Sequence, residues 1–205
     1  MGVGGIMGVM IERKKRLMMM QKSGGLPAEY QQIEYLQSSG TQYINTNYIC
    51  SVNPLIKTRM KIDSQSDRDI FGFINNVYPS FIVDCGSTRW YNRFGLTGYS
   101  VVIYEHGFTA HDWEFGQTFK ADGDIIQTYS TDIDWSLNKQ HMYLFSGRNI
   151  SGGMTIYDCK LYDGGSLVRN FIPCIRKSDN KPGMYDTVSK TFYTNAGTGE
   201  FIIPT

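Results

Sequence analysis

The strongest constraint on the fold of this chain is an alternation of apolar and polar side chains with a period of two. The pattern is clearest in residues 55–62, where Lys57, Arg59 and Lys61 alternate with Ile, Thr and Met. Successive side chains of a β-strand point to opposite faces of its sheet, so this segment predicts a strand with one buried face. Similar segments, bounded by Gly, Asn, Asp and Ser, recur at a spacing of roughly a dozen residues.

About thirteen short strands are predicted in this way, and no long segment of helical period follows residue 37. Many short strands separated by turn residues favour an all-β fold in which two antiparallel sheets cover one core. A chain of 205 residues suits one such domain, which needs no metal or disulfide to hold its core. The predicted strands lie at 41–46, 55–62, 70–74, 80–84, 88–94, 99–104, 117–120, 125–129, 142–145, 154–162 and 167–173, with short ones near 184–185, 192–193 and 201–203.

Residues 1–25 differ in composition from the rest and are assigned to an N-terminal arm, followed by one domain over residues 26–205. The arm carries a net charge of +4 and the remainder −3, so the body is not expected to bind nucleic acid. Val3, Met10 and Leu17 recur at a spacing of seven, which fits either a short helix that orders on assembly or an unstructured arm. The residues expected to make assembly contacts, with copies of the chain or with other proteins, are Met7, Met10, Arg13, Lys14, Lys15, Arg16, Leu17 and Met18.

The four cysteines show no metal-binding spacing and are expected to be free thiols. A symmetric hairpin with its turn at residues 163–166 places Cys159 opposite Asn170 and Cys174 opposite Thr155. The two sulfurs are then offset by roughly 13 Å along the strands, whereas a disulfide needs α-carbons within about 7 Å. Free thiols are consistent with assembly in a reducing cytoplasm. The four are Cys50, Cys85, Cys159 and Cys174.

The sequence predicts neither a membrane span nor a secretory signal. It contains no run of about 18 apolar residues. A signal peptide places positive charge before its apolar stretch, whereas here the apolar residues 1–11 precede the basic residues 13–16. The N-terminal segment is therefore interpreted as an arm.

Three stretches of the body resemble a known family. They are LPAEYQQIEYLQSSGTQYINT at 26–46, MTIYDCKLYD at 154–163 continuing into LVRNFIPC at 167–174, and GMYDTVSKTFYTNAGTGEF at 183–201. They bracket nearly the whole body and resemble laminin-G-like, concanavalin-like jelly-roll domains. Such domains occur in phage tail, fibre and other virion proteins and in surface proteins of gut bacteria. The resemblance implies a two-sheet antiparallel jelly-roll sandwich.

The resemblance also implies a function, namely a non-enzymatic module of a virion or, alternatively, of a bacterial cell surface. The jelly roll is expected to bind glycans or a host surface. The basic, Met-rich lead resembles leads of phage-encoded members, which implies that the arm anchors the domain to a particle or oligomer. The first alternative is a purely structural decoration or assembly protein without a ligand.

Aromatic side chains are the candidates for a sugar-binding platform, because a ring face stacks on the apolar face of a sugar. Polar side chains near them in sequence could supply hydrogen bonds. For the tryptophans, the competing interpretation is packing in the core. The candidate carbohydrate-binding residues are Trp90, Tyr91, Trp113, Tyr78, Asp84 and Asn92, with Arg93 close by.

A glycan-cleaving jelly-roll hydrolase is the second alternative. A retaining enzyme needs two carboxylates about 5–5.5 Å apart. The pairs Asp112/Glu114 and Asp132/Asp134 have the alternate spacing that places two carboxylates on one strand face. Neither pair matches the Glu, Asp, Glu run of laminarinase-like enzymes, so no catalytic residue is predicted.

Calcium is the one cofactor considered, because many laminin-G-like domains bind it. The ion takes six to eight oxygen ligands. Asp122, Asp124, Asp132 and Asp134 could supply some of them, although aspartates at turns commonly bind the neighbouring backbone instead. The sequence therefore predicts no metal site.

Overall fold

The computed structural model describes residues 26–63, 68–73, 79–85, 89–95, 100–103, 108–129, 133–147 and 153–204. The arm, with all its predicted assembly contacts, and the candidate Tyr78 lie outside the described residues. For Asp84, Cys85 and Tyr91 the structure describes the backbone and not the side chain. Apart from one short 3-10 helix, the regular secondary structure that is described is all β-strand, as the alternating pattern predicts.

Sixteen strands and one short 3-10 helix, Trp135–Leu137, make up the described part of the chain. Within that part, no helix is long and apolar enough to cross a membrane. The strands are β1 (Tyr30–Gln32), β2 (Leu36–Ser39), β3 (Ile44–Asn45), β4 (Pro54–Ile62), β5 (Arg68–Phe73), β6 (Phe81–Cys85), β7 (Arg89–Phe94), β8 (Ser100–Ile103), β9 (His111–Phe115), β10 (Thr118–Ala121), β11 (Asp124–Thr128), β12 (Tyr143–Leu144), β13 (Gly153–Asp163), β14 (Ser166–Arg176), β15 (Lys181–Asp186) and β16 (Thr191–Thr194).

The strands form two antiparallel sheets that pack as a sandwich. The large sheet has the order β11-β10-β9-β4-β13-β14-β15-β16, with β1 paired to β14 and β2 paired to β13. The small sheet has the order β3-β12-β5-β6-β7-β8. Strands β4, β9 and β13 are adjacent in the large sheet although they lie far apart in the sequence.

The alternating pattern of β4 is reproduced in its burial. Every second side chain from Pro54 to Ile62 is buried, whereas Lys57, Arg59 and Lys61 are half-buried on the opposite face. The apolar face therefore points between the sheets and the basic face points outward, because a two-residue period assigns alternate side chains to opposite faces.

Aromatic rings from both sheets meet in the core. Trp90 of the small sheet and Trp113 of the large sheet have ring centroids 4.5 Å apart, and Phe71 and Phe115 make a second contact at 5.7 Å. All four are at most 2% exposed. Burying a side chain of this size contributes roughly 1.5–3 kcal/mol, so this cluster is a main source of cohesion between the sheets.

The predicted faces of β13 are wrong in part. Strict alternation predicts Tyr157, Cys159 and Leu161 on one face and Ile156, Asp158 and Lys160 on the other. Cys159 and Leu161 are buried and Asp158 and Lys160 point outward, as predicted, but Ile156 is fully buried and Tyr157 is half-buried. A β-bulge between Ile156 and Asp158 adds one residue to β13 relative to β4, which reverses the alternation at that point. The outward residues that follow it are Asp158, Lys160 and Tyr162.

The predicted hairpin between β13 and β14 is confirmed, but its register is shifted. Asp163 pairs with Ser166 around the predicted turn, in which Gly164 and Gly165 both have positive φ, as the tight hairpin turn requires. A bulge between Leu161 and Tyr162 then places Cys159 opposite Phe171 rather than opposite Asn170. Cys50, Cys159 and Cys174 are free and buried, as predicted for these three.

Several strands were missed or misplaced by the sequence pattern. β9 begins at His111, between the predicted strands at 99–104 and 117–120, and β1 and β2 lie in a segment where no strand is predicted. The predicted strand at 201–203 is only an isolated bridge between Gln37 and Ile202. Each missed strand is short or rich in polar residues, so local alternation is weak there.

Candidate functional site

The two tryptophans proposed as a sugar platform are core residues. Trp90 is 0% and Trp113 is 2% exposed, and Trp113 donates its indole N–H to the carbonyl oxygen of Met60 at 3.3 Å. On β9, Trp113 and Phe115 point inward while Asp112 and Glu114 point outward. The prediction that these rings stack on a glycan is therefore corrected, because strand parity directs both into the sandwich.

Of the candidates beside Trp90 whose side chains the structure describes, Asn92 is also inaccessible. Asn92 is 4% exposed and lines a cavity of about 10 Å³ together with Phe119 and Tyr129, which is too small for a sugar. Asp84 and Tyr91 are paired across β6 and β7. Of the six predicted carbohydrate-binding residues, Trp90, Trp113 and Asn92 are therefore buried. The side chains of Tyr78, Asp84 and Tyr91 are not among those that the structure describes.

A different surface has the form of a binding site, on the outward face of the large sheet. Strands β4, β9 and β13 enclose a cavity of about 210 Å³ there. That is below the roughly 300–1,000 Å³ of pockets for drug-sized ligands, so the cavity suits one small group such as a single sugar ring. We call this surface the outer groove; its outward side chains are Lys57, Arg59, Asp112, Glu114, Asp158, Lys160 and Tyr162.

The charges of the outer groove are arranged in two rows that run across the strands. In the first row, Glu114 is paired with Lys57, and Lys57 is paired with Lys160. The Lys57 ammonium donates to the Glu114 carboxylate at 3.0 Å. Lys120 of β10 extends this row beyond Glu114, at 3.5 Å from the same carboxylate.

The second row is centred on an arginine between two carboxylates. Arg59 is paired with Asp112 on β9 and with Asp158 on β13. Its guanidinium lies 3.3 Å from the Asp112 carboxylate, and its backbone N–H donates to Asp158 at 3.3 Å. The two rows therefore differ in charge, the first with an excess of cations and the second with an excess of anions.

An aromatic side chain borders the first row. Tyr162 is half-buried in the groove, and the Lys57 ammonium lies 6.0 Å from the centroid of its ring. Because the phenol is neither in the core nor fully solvated, it has the character of a surface ring on which a sugar can stack.

The electrostatics of the groove favour the charged form of Glu114. Burial acts to raise the pKa of Glu114, but the hydrogen bond from Lys57 and the charge of Lys120 outweigh it and hold that pKa below its usual range. Beside the groove, a hydrogen bond with His111 at 2.6 Å lowers the pKa of Asp122. These groups are suited to electrostatic and hydrogen-bonded recognition.

Two of the four aspartates considered for calcium, Asp122 and Asp134, bind neighbouring groups of the protein, whereas Asp124 is exposed at the start of β11. Asp122 also accepts from the backbone N–H of Asp112 at 2.9 Å, and Asp134 accepts from the backbone N–H of Ser136 at the start of the 3-10 helix. Asp132 lies outside the described residues. Among the residues that are described, no three His, Cys, Asp or Glu side chains are grouped so as to hold a metal ion.

The sequence pattern indicated several residues of the outer groove but did not show that they lie together on one surface. The alternation in β4 placed Lys57 and Arg59 outward, and Asp112 with Glu114 stood out as an alternate pair. Alternation in β13 also places Lys160 on the face opposite Cys159, but nothing local indicates that β13 lies beside β4 and so adds Lys160 and Tyr162 to the site. No protein-family model, curated protein or solved structure matches the chain.

Proposed function

We propose that this protein is a non-enzymatic module of a phage virion, or of a bacterial surface, that binds glycans through its outer groove. The sandwich fold and the three stretches that resemble laminin-G-like jelly rolls support the type of module. The observation that carries the binding function is the outer groove itself, a cavity of about 210 Å³ that combines Tyr162 with ionised side chains of both signs. A sugar presents an apolar face for stacking and hydroxyls for hydrogen bonds, and this surface offers partners for both.

The charge state of the groove favours binding over hydrolysis. A glycosidase needs one carboxyl group with a raised pKa to protonate the leaving group. Burial alone would raise the pKa of Glu114, but Lys57 and Lys120 together keep it lowered, which opposes that role. Asp112 is engaged by Arg59. The outward carboxylates therefore act as acceptors for sugar hydroxyls in this proposal.

A glycan array probed with the full-length chain tests the function. We expect binding to a restricted set of glycans, and we expect Tyr162→Ala to weaken it by about tenfold, because stacking on a ring contributes roughly 0.5–1.5 kcal/mol beyond its buried area. Tyr143→Ala is the matched control, since Tyr143 is a partly buried tyrosine of the small sheet that contacts Tyr43. An array with no bound glycan, or equal loss in both variants, would contradict the proposal.

The arm, residues 1–25, is proposed to anchor the module to the particle or to further copies of the chain. It contains six methionines and four consecutive basic residues, and these residues are not required to form the core of the sandwich. Ordering about 20 residues costs about 1–2 kcal/mol each in backbone entropy, so the arm requires a partner surface to become ordered. Deletion of residues 1–25 should leave the body folded but abolish oligomers or incorporation into particles. Unchanged assembly by size-exclusion chromatography with light scattering would refute this role.

A further inference from the structure

We propose that the outer groove selects an acidic glycan, one whose sugar carries a carboxylate or a sulfate group, and that this anion lies between Lys57 and Lys160. This inference rests on the proposed glycan-binding function and adds the chemical class of the ligand. It is carried by the register of β4 and β13 and by the unequal distribution of charge over the two rows.

The register places two ammonium groups next to each other. Lys160 is the direct partner of Lys57 in the pairing of β13 with β4. Side chains in this relation have Cβ atoms about 4.5–5.5 Å apart, and like charges directly opposite destabilise a sheet. An anion held between the two ammonium groups would remove this repulsion.

The neighbouring carboxylates do not already neutralise the pair. The Glu114 carboxylate is shared by Lys57 at 3.0 Å and Lys120 at 3.5 Å. Among the residues that the structure describes, no carboxylate forms an ion pair with the exposed Lys160. Asp158 is two residues away on the same face, but it accepts from the Arg59 backbone. The first row thus has three cations for one anion.

The second row shows that this imbalance is local. Arg59 lies there between Asp112 and Asp158, so the cation is matched on both sides. The face as a whole has little net positive charge to attract a large anionic ligand. One small anion, in contrast, has a defined position in the first row, between Lys57 and Lys160. Tyr162, beside Lys57, then supports the ring that carries the anion.

A glycan array that pairs neutral backbones with their carboxylated and sulfated forms tests the inference, with the full-length chain as the probe protein. We expect the bound glycans to be acidic forms, with their neutral counterparts bound at least tenfold more weakly, as the loss of one charge-assisted contact implies. The carboxylated and sulfated arms show which anion is preferred. Binding should also weaken as salt is added.

Titration of the strongest bound glycan with Lys160→Gln and Lys160→Arg locates the anion. We expect the glutamine variant to bind about tenfold more weakly and the arginine variant to retain most of the affinity. Lys190→Gln, at an exposed lysine of the β15–β16 turn, is the control and should bind as the wild type does. Preference for neutral glycans, or equal binding by Lys160→Gln, would overturn the inference and leave the proposed function intact. An array with no bound glycan would overturn both.

Discussion

At the outer groove, the two faces of the large sheet are made by the same three strands, β4, β9 and β13, and have opposite characters. On β9, Trp113 points inward at 2% exposure, while Asp112 and Glu114, its immediate neighbours, point outward and pair with cations. On β13, Cys159 is in the core and Lys160 is exposed. Position in the strand, and not residue type, therefore decides which aromatic ring is accessible to a ligand. A tryptophan at an inward position stabilises the sandwich, and a tyrosine at an outward position is accessible.

The largest expected effect is on the inner face. Trp113→Ala removes a ring that contacts Trp90, Phe115 and Phe119, and we expect a loss of about 3–5 kcal/mol in the free energy of unfolding. Tyr162→Ala, on the outer face, should cost less than about 1 kcal/mol. Urea denaturation followed by circular dichroism measures both. Similar losses of unfolding free energy in the two variants would show that the inner and outer faces contribute equally to stability, and would contradict the comparison.

The next effect concerns a carboxylate on the buried side of β13. Asp163 is 6% exposed and accepts from the backbone N–H groups of Ser51, Val52 and Asn53 at 2.7–2.9 Å, and from the Tyr48 hydroxyl at 3.1 Å. Asp163→Ala leaves these donors without their acceptor and should destabilise the protein by about 2–3 kcal/mol.

Asp158→Ala is the matched control for that variant, since Asp158 lies on the outer face of the same strand. We expect it to change the free energy of unfolding by less than about 1 kcal/mol, because Asp158 is half-buried and water can replace its carboxylate at the Arg59 N–H. If Asp158→Ala were as destabilising as Asp163→Ala, burial would not explain the role of the inward carboxylate.

The buried thiols predict a dependence of stability on pH. Burial raises the pKa of the Cys174 thiol to about 12, and it raises the pKa of the Cys159 thiol as well, from an ordinary value of 9.0. Below pH 9 the thiols are protonated in both states and their contribution is fully present. As the pH rises from 9 toward the folded-state values, the unfolded chain loses these protons first, so the free energy of unfolding falls.

Denaturation curves at pH 8 and pH 10 measure this fall, and Cys159→Ala should reduce it. In the native protein at pH 8 the buried thiols should react slowly with a thiol reagent. After denaturation without reductant, all four cysteines should titrate. Recovery of two or fewer thiols would show that a disulfide forms and would contradict the free thiols described here.

The smallest effect is expected on the outer face. Lys160→Glu replaces a like charge opposite Lys57 by an opposite charge, which should stabilise the unliganded protein by roughly 0.2–1 kcal/mol. The gain should shrink at high salt. A destabilisation at low salt would mean that the two ammonium groups do not repel each other in the way that the register implies.

The sequence predicted the fold well and the site poorly, for physical reasons. The alternation through Lys57 and Arg59 is local, and it identified β4 and both of its faces. The outer groove joins residues near 57, 112 and 160, and the pairing of strands so distant in sequence is not encoded in any local pattern. The bulge at Tyr157, which moves Ile156 to the buried face of β13, is also not visible in the alternation. Trp113 was chosen by residue type, and its position in β9 was missed because charged residues flank it.

Tryptophan fluorescence tests most directly the claim that the tryptophan rings predicted to bind sugar lie in the interior of the sandwich. All three tryptophans, Trp90, Trp113 and Trp135, are at most 3% exposed. The native protein should therefore emit at shorter wavelength than the denatured protein and resist quenching by acrylamide. An emission maximum and a quenching constant equal to those of the denatured chain would place the tryptophans at the surface and contradict this account.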